Sequence, residues 1–92
     1  MATAKLGDVS VPQREVAWEV VDGEAVIVDV TTGDYFSLNA VGTDVWTSLH
    51  RGADVPSIVA ATVTRYGVDR ATVARDVEDL IGELEDIGLW NP

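Results

Sequence analysis

From Val16 to Leu38 the apolar residues of this chain fall in short strand-like runs, and after Asn39 they recur at every third or fourth position. A period that switches once, in that direction, restricts the fold to strands first and helices second. Val16, Trp18 and Val20 alternate with Glu15, Ala17 and Glu19, the pattern of a strand with one buried face. Asp22-Gly23 then supplies a two-residue hairpin turn, because both residues accept the positive φ that such turns need. Ala25 to Val30 is almost continuously β-branched and reads as a central strand buried on both faces. Thr32-Gly33-Asp34 turns the chain again, and Tyr35-Phe36-Ser37-Leu38 makes a short third strand that ends the meander on an edge. One alternate pair of that strand belongs in the core and the other outside; the pattern leaves open which.

Three helices follow. Asn39 is an N-cap for a first helix with Val41, Val45, Trp46 and Leu49 on one face and Gly52 as its stop. Asp54 caps a second, with Pro56 in its first turn, a stripe of Val55, Val59, Val63 and Tyr66, and Gly67 at its end. The third is the best specified. Asp69 is its cap, Val68 and Val73 have the spacing of a hydrophobic staple, and Val73, Val77, Leu80, Leu84 and Ile87 form its stripe. Gly88 fits the left-handed position of a Schellman cap, with Leu89 folding back on Leu84. The order is that of an α+β, winged-helix-like fold, a three-stranded antiparallel β-meander followed by three α-helices. Trp18 and Trp46 read as core anchors and Trp90 as a tail residue.

With 92 residues, 47% of them hydrophobic and 24% charged, the chain supports one hydrophobic core. Residues 14–90 form that domain, and residues 1–13, which lack a sustained period and contain Pro12, read as a flexible N-terminal arm with a short extended piece at Val9 to Val11. A formal charge of -10 disfavours nucleic acid and favours cationic partners. No signal-peptide pattern or run of membrane-spanning length occurs, so no membrane partner and a cytoplasmic location are expected. With no Cys and only His50, thiolate and multi-histidine metal sites are excluded and no cofactor is expected. His50 sits where a cation meets a helix C-terminus, and a structural role is the simpler reading. Nucleophile elbows, P-loops and paired catalytic acids are absent, so no enzymatic activity is expected.

The segments Glu24 to Asp29, Thr32-Gly33-Asp34-Tyr35-Phe36-Ser37-Leu38-Asn39, Val41-Gly42 and Val45-Trp46, followed by Tyr66-Gly67-Val68-Asp69, Asp76-Val77 and Gly88-Leu89, resemble the PqqD family of coenzyme PQQ synthesis and its relatives. The resemblance covers Arg14 to Leu89. Such domains are called RiPP recognition elements, and a free-standing acidic chain of this size is similar to those of lasso-peptide pathways. The resemblance implies that the leader segment of a ribosomally made precursor peptide binds as an extra antiparallel strand on the third strand, beside the third helix. It also implies hand-over to a separate leader peptidase and, in lasso pathways, a cyclase.

The residues supply parts for that role. A terminal strand leaves unpaired N–H and C=O groups, which template strand addition. On the third helix Asp69, Asp76 and Glu83 recur every seven residues and form an acidic rail beside the apolar stripe. The candidate peptide-binding residues are therefore Val28, Asp34, Tyr35, Phe36, Ser37 and Leu38 on the sheet, and Asp69, Val73, Asp76, Val77, Leu80 and Glu83 on the helix. Asp34 and the rail would meet basic leader side chains; Phe36, Leu38, Val73, Val77 and Leu80 would accept apolar ones. Two other readings compete. A winged-helix DNA-binding regulator has the same element order, but Asp69 to Ile87 carries only Arg70 and Arg75 against seven acidic residues. An interaction module could use the same edge for a partner protein other than a leader.

Overall fold

The computed structural model describes residues 14–91, and the arm expected at residues 1–13 lies outside them. Three strands, β1 (Val16–Val21), β2 (Glu24–Asp29) and β3 (Tyr35–Ser37), precede three helices, α1 (Ala40–His50), α2 (Val55–Tyr66) and α3 (Arg70–Asp86). The sheet is an antiparallel meander in the order β1-β2-β3, as the period switch requires. Its first turn is closed by Asp22 at φ 53 and Gly23 at φ 81, with Val21 paired to Glu24, so the hairpin register is set by a two-residue loop.

The helix ends follow the local signals. Asn39, Asp54 and Asp69 each accept the backbone N–H of the residue three positions on, Gly42, Ser57 and Thr72. Gly88 stands at φ 80, the Leu89 N–H donates to the Leu84 carbonyl at 2.8 Å, and the Gly88 N–H donates to the Glu85 carbonyl at 3.1 Å, which is the Schellman pair. No helix among the described residues is long and apolar enough to cross a membrane.

The core lies between the sheet and the helices and is built from Ala25, Ile27, Val45, Trp46, Leu49, Ile58, Val59, Val73, Val77, Leu84 and Leu89. Its boundaries differ from the sequence expectation in four places. β2 buries Ala25, Ile27 and Asp29 but leaves Val26 half-buried and Val28 exposed, because the helical layer covers only one face of the sheet. β1 turns Trp18 to the helix side, opposite Ile27, yet Trp18 remains 37% exposed and Val20 44%, so Trp18 is a lid on the core rather than an anchor within it. It meets the buried Trp46 edge-on at 5.7 Å, while His50, 4.3 Å from Trp46, also touches Trp18 and Trp90. The buried face of α2 is centred on Ile58, Val59 and Thr62, with Val55, Val63 and Tyr66 at its margins. On α3, Leu80 is half-buried and Ile87 exposed, whereas Leu84 between them and Leu89 beyond them are buried.

Two polar groups join the layers. The Thr43 hydroxyl accepts the Ala25 N–H at 2.7 Å and donates to the Leu38 carbonyl at 3.2 Å, fastening the first turn of α1 to both neighbouring strands. Beside it, a Cβ at Gly42 would stand 3.3 Å from Leu38 Cβ and from Asn39 Oδ1, so glycine permits the close seating of this turn.

Candidate functional site

β3 is the last strand of the sheet, and its hydrogen bonds decide which groups it offers. The Leu38 N–H donates to the Ala25 carbonyl and the Asp34 carbonyl accepts from the Asp29 N–H, with Phe36 opposite Ile27 between them. Residues 34, 36 and 38 thus turn their backbone toward β2, and by the alternation of an antiparallel ladder Tyr35 and Ser37 point their N–H and C=O groups away from it. Among the described residues this outer edge is unpaired. Side chains alternate across the sheet in the same strand. Phe36 and Leu38 pack on the core, whereas Tyr35, 72% exposed, and Ser37 face outward with Val28 and Val26. The pair left open by the pattern is settled: Phe36 and Leu38 are inside.

The helical half of the expected site forms a cleft of about 380 Å³. Val73, Asp76, Val77 and Leu80 of α3 line it together with Val41 and Val45 of α1, Thr62 and Tyr66 of α2, and Val68 and Thr72. Its walls are almost wholly apolar, with Asp76 the acidic group among them. Tyr66 stands as a neutral donor at one wall: its hydroxyl donates to Asp44 Oδ2 at 2.6 Å, and that bond, then burial, raises its pKa above the ordinary 10.0. Sequence reasoning placed Val41, Val45 and Tyr66 in the core stripes and missed that their outer edges share a cleft with α3. The spacing of each helix shows a stripe but not where two stripes part.

The remaining expected residues are dispersed. Val28 lies on the outer face of the sheet in a separate shallow depression with Ala17, Val21 and Val26. Asp69 is exposed and spends its carboxylate on capping, accepting the Thr72 N–H at 3.0 Å and the Thr72 hydroxyl at 3.1 Å. Glu83 is exposed on α3 outside the cleft. Asp34 is not a free acid: Arg14 Nη1 lies 3.3 Å from it, 2.8 Å from Asp29, and the guanidinium carbon sits 5.2 Å from the centre of the Phe36 ring. Arg14 also donates through Nε to the Ile87 carbonyl at 2.6 Å and through its backbone N–H to the Gly88 carbonyl at 2.9 Å. This arginine clasp ties the end of α3 to the start of β3, and no periodic signal marks a lone arginine ahead of the first strand.

Asp29 is the buried acid that the clasp serves. It accepts the Thr32 N–H at 3.1 Å and the Thr31 N–H at 2.9 Å, so it organises the β2–β3 turn from within. Its pKa lies below the ordinary 3.8, foremost through the Thr32 N–H, then through the Thr31 N–H and Arg14, with burial opposing.

The described geometry is therefore an open strand edge, an apolar cleft with an acidic rim, and no assembled set of reacting groups among the residues that form them. Residues 24–89 match the family model of coenzyme PQQ synthesis protein D, PqqD. No curated protein sequence matches significantly. The chain is similar to the solved structure of TbiB1 in complex with the TbiA(beta) leader peptide, at 38% identity over 78% of this chain and 86% of that one, with a TM-score of 0.70. It shares its fold with lasso peptide synthetase B1 complexed with the leader peptide, at 24% identity over 85% of this chain and 92% of that one, with a TM-score of 0.78. On the family match, and on the likeness to TbiB1, the chain belongs to the PqqD family and is a PqqD-like RiPP recognition element.

Proposed function

We propose that this chain binds the leader of a ribosomally synthesised precursor peptide, of the lasso class, as a fourth antiparallel strand on β3. It does so without catalysis and delivers the precursor to a separate leader peptidase and cyclase. The observation that carries the reading is the outer edge of β3, where Tyr35 and Ser37 present their backbone groups beside a helical layer whose cleft is apolar. TbiB1, the 38% identical relative, stands in complex with a leader peptide, which supports the same class of ligand here.

Energetics say what else is needed. Two residues offer four edge hydrogen bonds, worth ~2 to 6 kcal/mol together at ~0.5 to 1.5 kcal/mol each. Ordering a disordered peptide costs ~2 to 5 kcal/mol, and micromolar affinity requires ~8 kcal/mol. Two or three leader side chains buried at ~1.5 to 3 kcal/mol each bring the sum close to that figure. Side-chain burial in the cleft, not the strand, therefore provides most of the affinity and the selectivity. Tethering a precursor near its enzymes raises its local concentration without chemistry, which is how a non-catalytic domain accelerates a pathway.

The test is a titration with a fluorescently labelled leader of a lasso precursor peptide. Saturable binding that survives removal of the core peptide and disappears on scrambling the leader is expected; equal affinity for the scrambled peptide refutes the reading.

A further inference from the structure

The sheet has a second edge, along β1. The Val30 N–H donates to the Glu15 carbonyl, and the β1–β2 register sets Glu15 opposite Val30. By the alternation of an antiparallel ladder Ala17, Glu19 and Val21 also turn their backbone groups toward β2, while Val16, Trp18 and Val20 turn theirs away. Arg14 stands in the same phase as these three. Its outward N–H donates to the Gly88 carbonyl, so the end of α3 closes the edge at its start. Beyond that point, among the described residues, no backbone group bonds to the outward N–H and C=O groups of Val16, Trp18 and Val20.

This edge is twice as long as β3, six residues against three. It holds no proline and no bulge, two of the devices that keep an edge from pairing. Its outward residues are also those whose side chains face the helices, and Trp18 and Val20 among them stay exposed. The stretch is therefore apolar where it offers hydrogen bonds.

The pattern suits a second copy of the same strand across a two-fold axis. Hydrogen bonding requires outward residues to face outward residues, so an axis that overlaps most of both strands falls on Ala17, Trp18 or Glu19. Charge selects among these. An axis on Glu19 sets that carboxylate opposite its own counterpart, and an axis on Ala17 sets Glu19 opposite Glu15 on both sides. An axis on Trp18 sets Glu19 opposite Ala17, Glu15 opposite Val21 and Val16 opposite Val20, so no like charges face each other directly. It also brings Trp18 against its counterpart, on the face where the ring already meets Trp46 and His50.

We propose that two copies of this chain join antiparallel through β1 about a two-fold axis on Trp18, making one continuous sheet with a copy of β3 at each end. Both β3 edges remain open, so the pairing does not rest on the leader-binding reading and does not obstruct it. The formal charge of -10 on each copy opposes association. Its nearest expression is the two Glu19 carboxylates, diagonal to each other at ~7 to 8 Å. Salt screens that repulsion but not the backbone bonds or the apolar contact, so the dimer strengthens as ionic strength rises.

The experiment is sedimentation velocity on the full chain over a concentration series, in low and in high salt. The 9.8 kDa chain is expected to approach twice its mass as concentration rises, and to do so at lower concentration in high salt. Val20→Pro removes an outward N–H that the β1–β2 ladder does not use, and Val20→Glu sets a carboxylate at an exposed position on the apolar side of the edge. Each is expected to weaken the dimer at least about tenfold. Glu19→Gln is expected to tighten it about twofold to threefold in low salt. Ser37→Pro, on the opposite edge of the sheet, leaves it unchanged. Slow exchange of the Leu38 amide, which is bonded to Ala25, reports that the sheet is intact in each variant.

A chain that stays monomeric at every concentration in both salts overturns the proposal. A dimer that both Val20 variants leave intact, or that Ser37→Pro breaks, uses another surface and overturns it as well. A dimer that Glu19→Gln fails to tighten has its axis elsewhere and overturns the register. Doubling that is lost in a folded Val20 variant and enhanced by Glu19→Gln upholds it.

Discussion

Asp29 at the end of β2 and Thr43 in the first turn of α1 are two buried polar side chains, and each is there because a backbone group needs it. Asp29 has its pKa depressed by the Thr32 and Thr31 N–H groups and by Arg14. A carboxyl that is more acidic when folded contributes stability above its ordinary value of 3.8, and that contribution is lost as pH falls through the lower folded value. Asp29→Asn keeps an oxygen for the threonine amides but not the charge. The difference in melting temperature between the unaltered chain and this variant is expected to be largest near neutrality and to shrink below about pH 4; a constant difference contradicts it. Thr43→Val leaves the Ala25 N–H buried without an acceptor, at a cost of ~1 to 3 kcal/mol in urea unfolding. Neither role was legible in the sequence. Asp29 ends a run of β-branched residues and Thr43 lies within an amphipathic helix, and alternation identifies faces, not the polar group that closes one backbone donor.

At the scale of elements, the signals that act within a few residues were legible. The Asp22-Gly23 hairpin, the caps at Asn39, Asp54 and Asp69, and the Gly88-Leu89 Schellman end all form where their side chains can reach only their own turn. Burial was less legible because it depends on which neighbour lies opposite. The β-branched run of β2 suggested two covered faces, but the helices all pack on one, so Val28 lies on the far side of the sheet from Val73 and Val77. The site residues divide accordingly: Phe36 and Leu38 with the helices, Tyr35 and Ser37 as edge donors and acceptors, Val28 elsewhere. One substitution separates the edge from the fold. Ser37→Pro deletes an outward N–H that the β2–β3 ladder does not use, a position where a strand tolerates proline. It is expected to weaken leader binding at least about fivefold while changing unfolding stability by less than about 1 kcal/mol. Unchanged affinity would mean that the peptide does not pair there.

For the molecule as a whole, three properties set what it can bind. Its acidity, a formal charge of -10 over 92 residues, disfavours phosphate backbones and favours cationic partners. Its sheet is closed on one face by three helices and ends on a three-residue strand. The cleft among its helices is apolar and has one acidic group in its lining, Asp76. The most direct measurement of the central claim is an isotope-filtered NOE experiment with labelled protein and unlabelled leader at saturation. In strand addition on β3 the Phe36 Hα points across the new pair, so a close Hα–Hα contact between Phe36 and one leader residue is predicted, with the Tyr35 and Ser37 amides bonded to its two neighbours. A leader that saturates the protein yet contacts only the outer face around Val21, Val26 and Val28, with no Phe36 contact, would contradict the account.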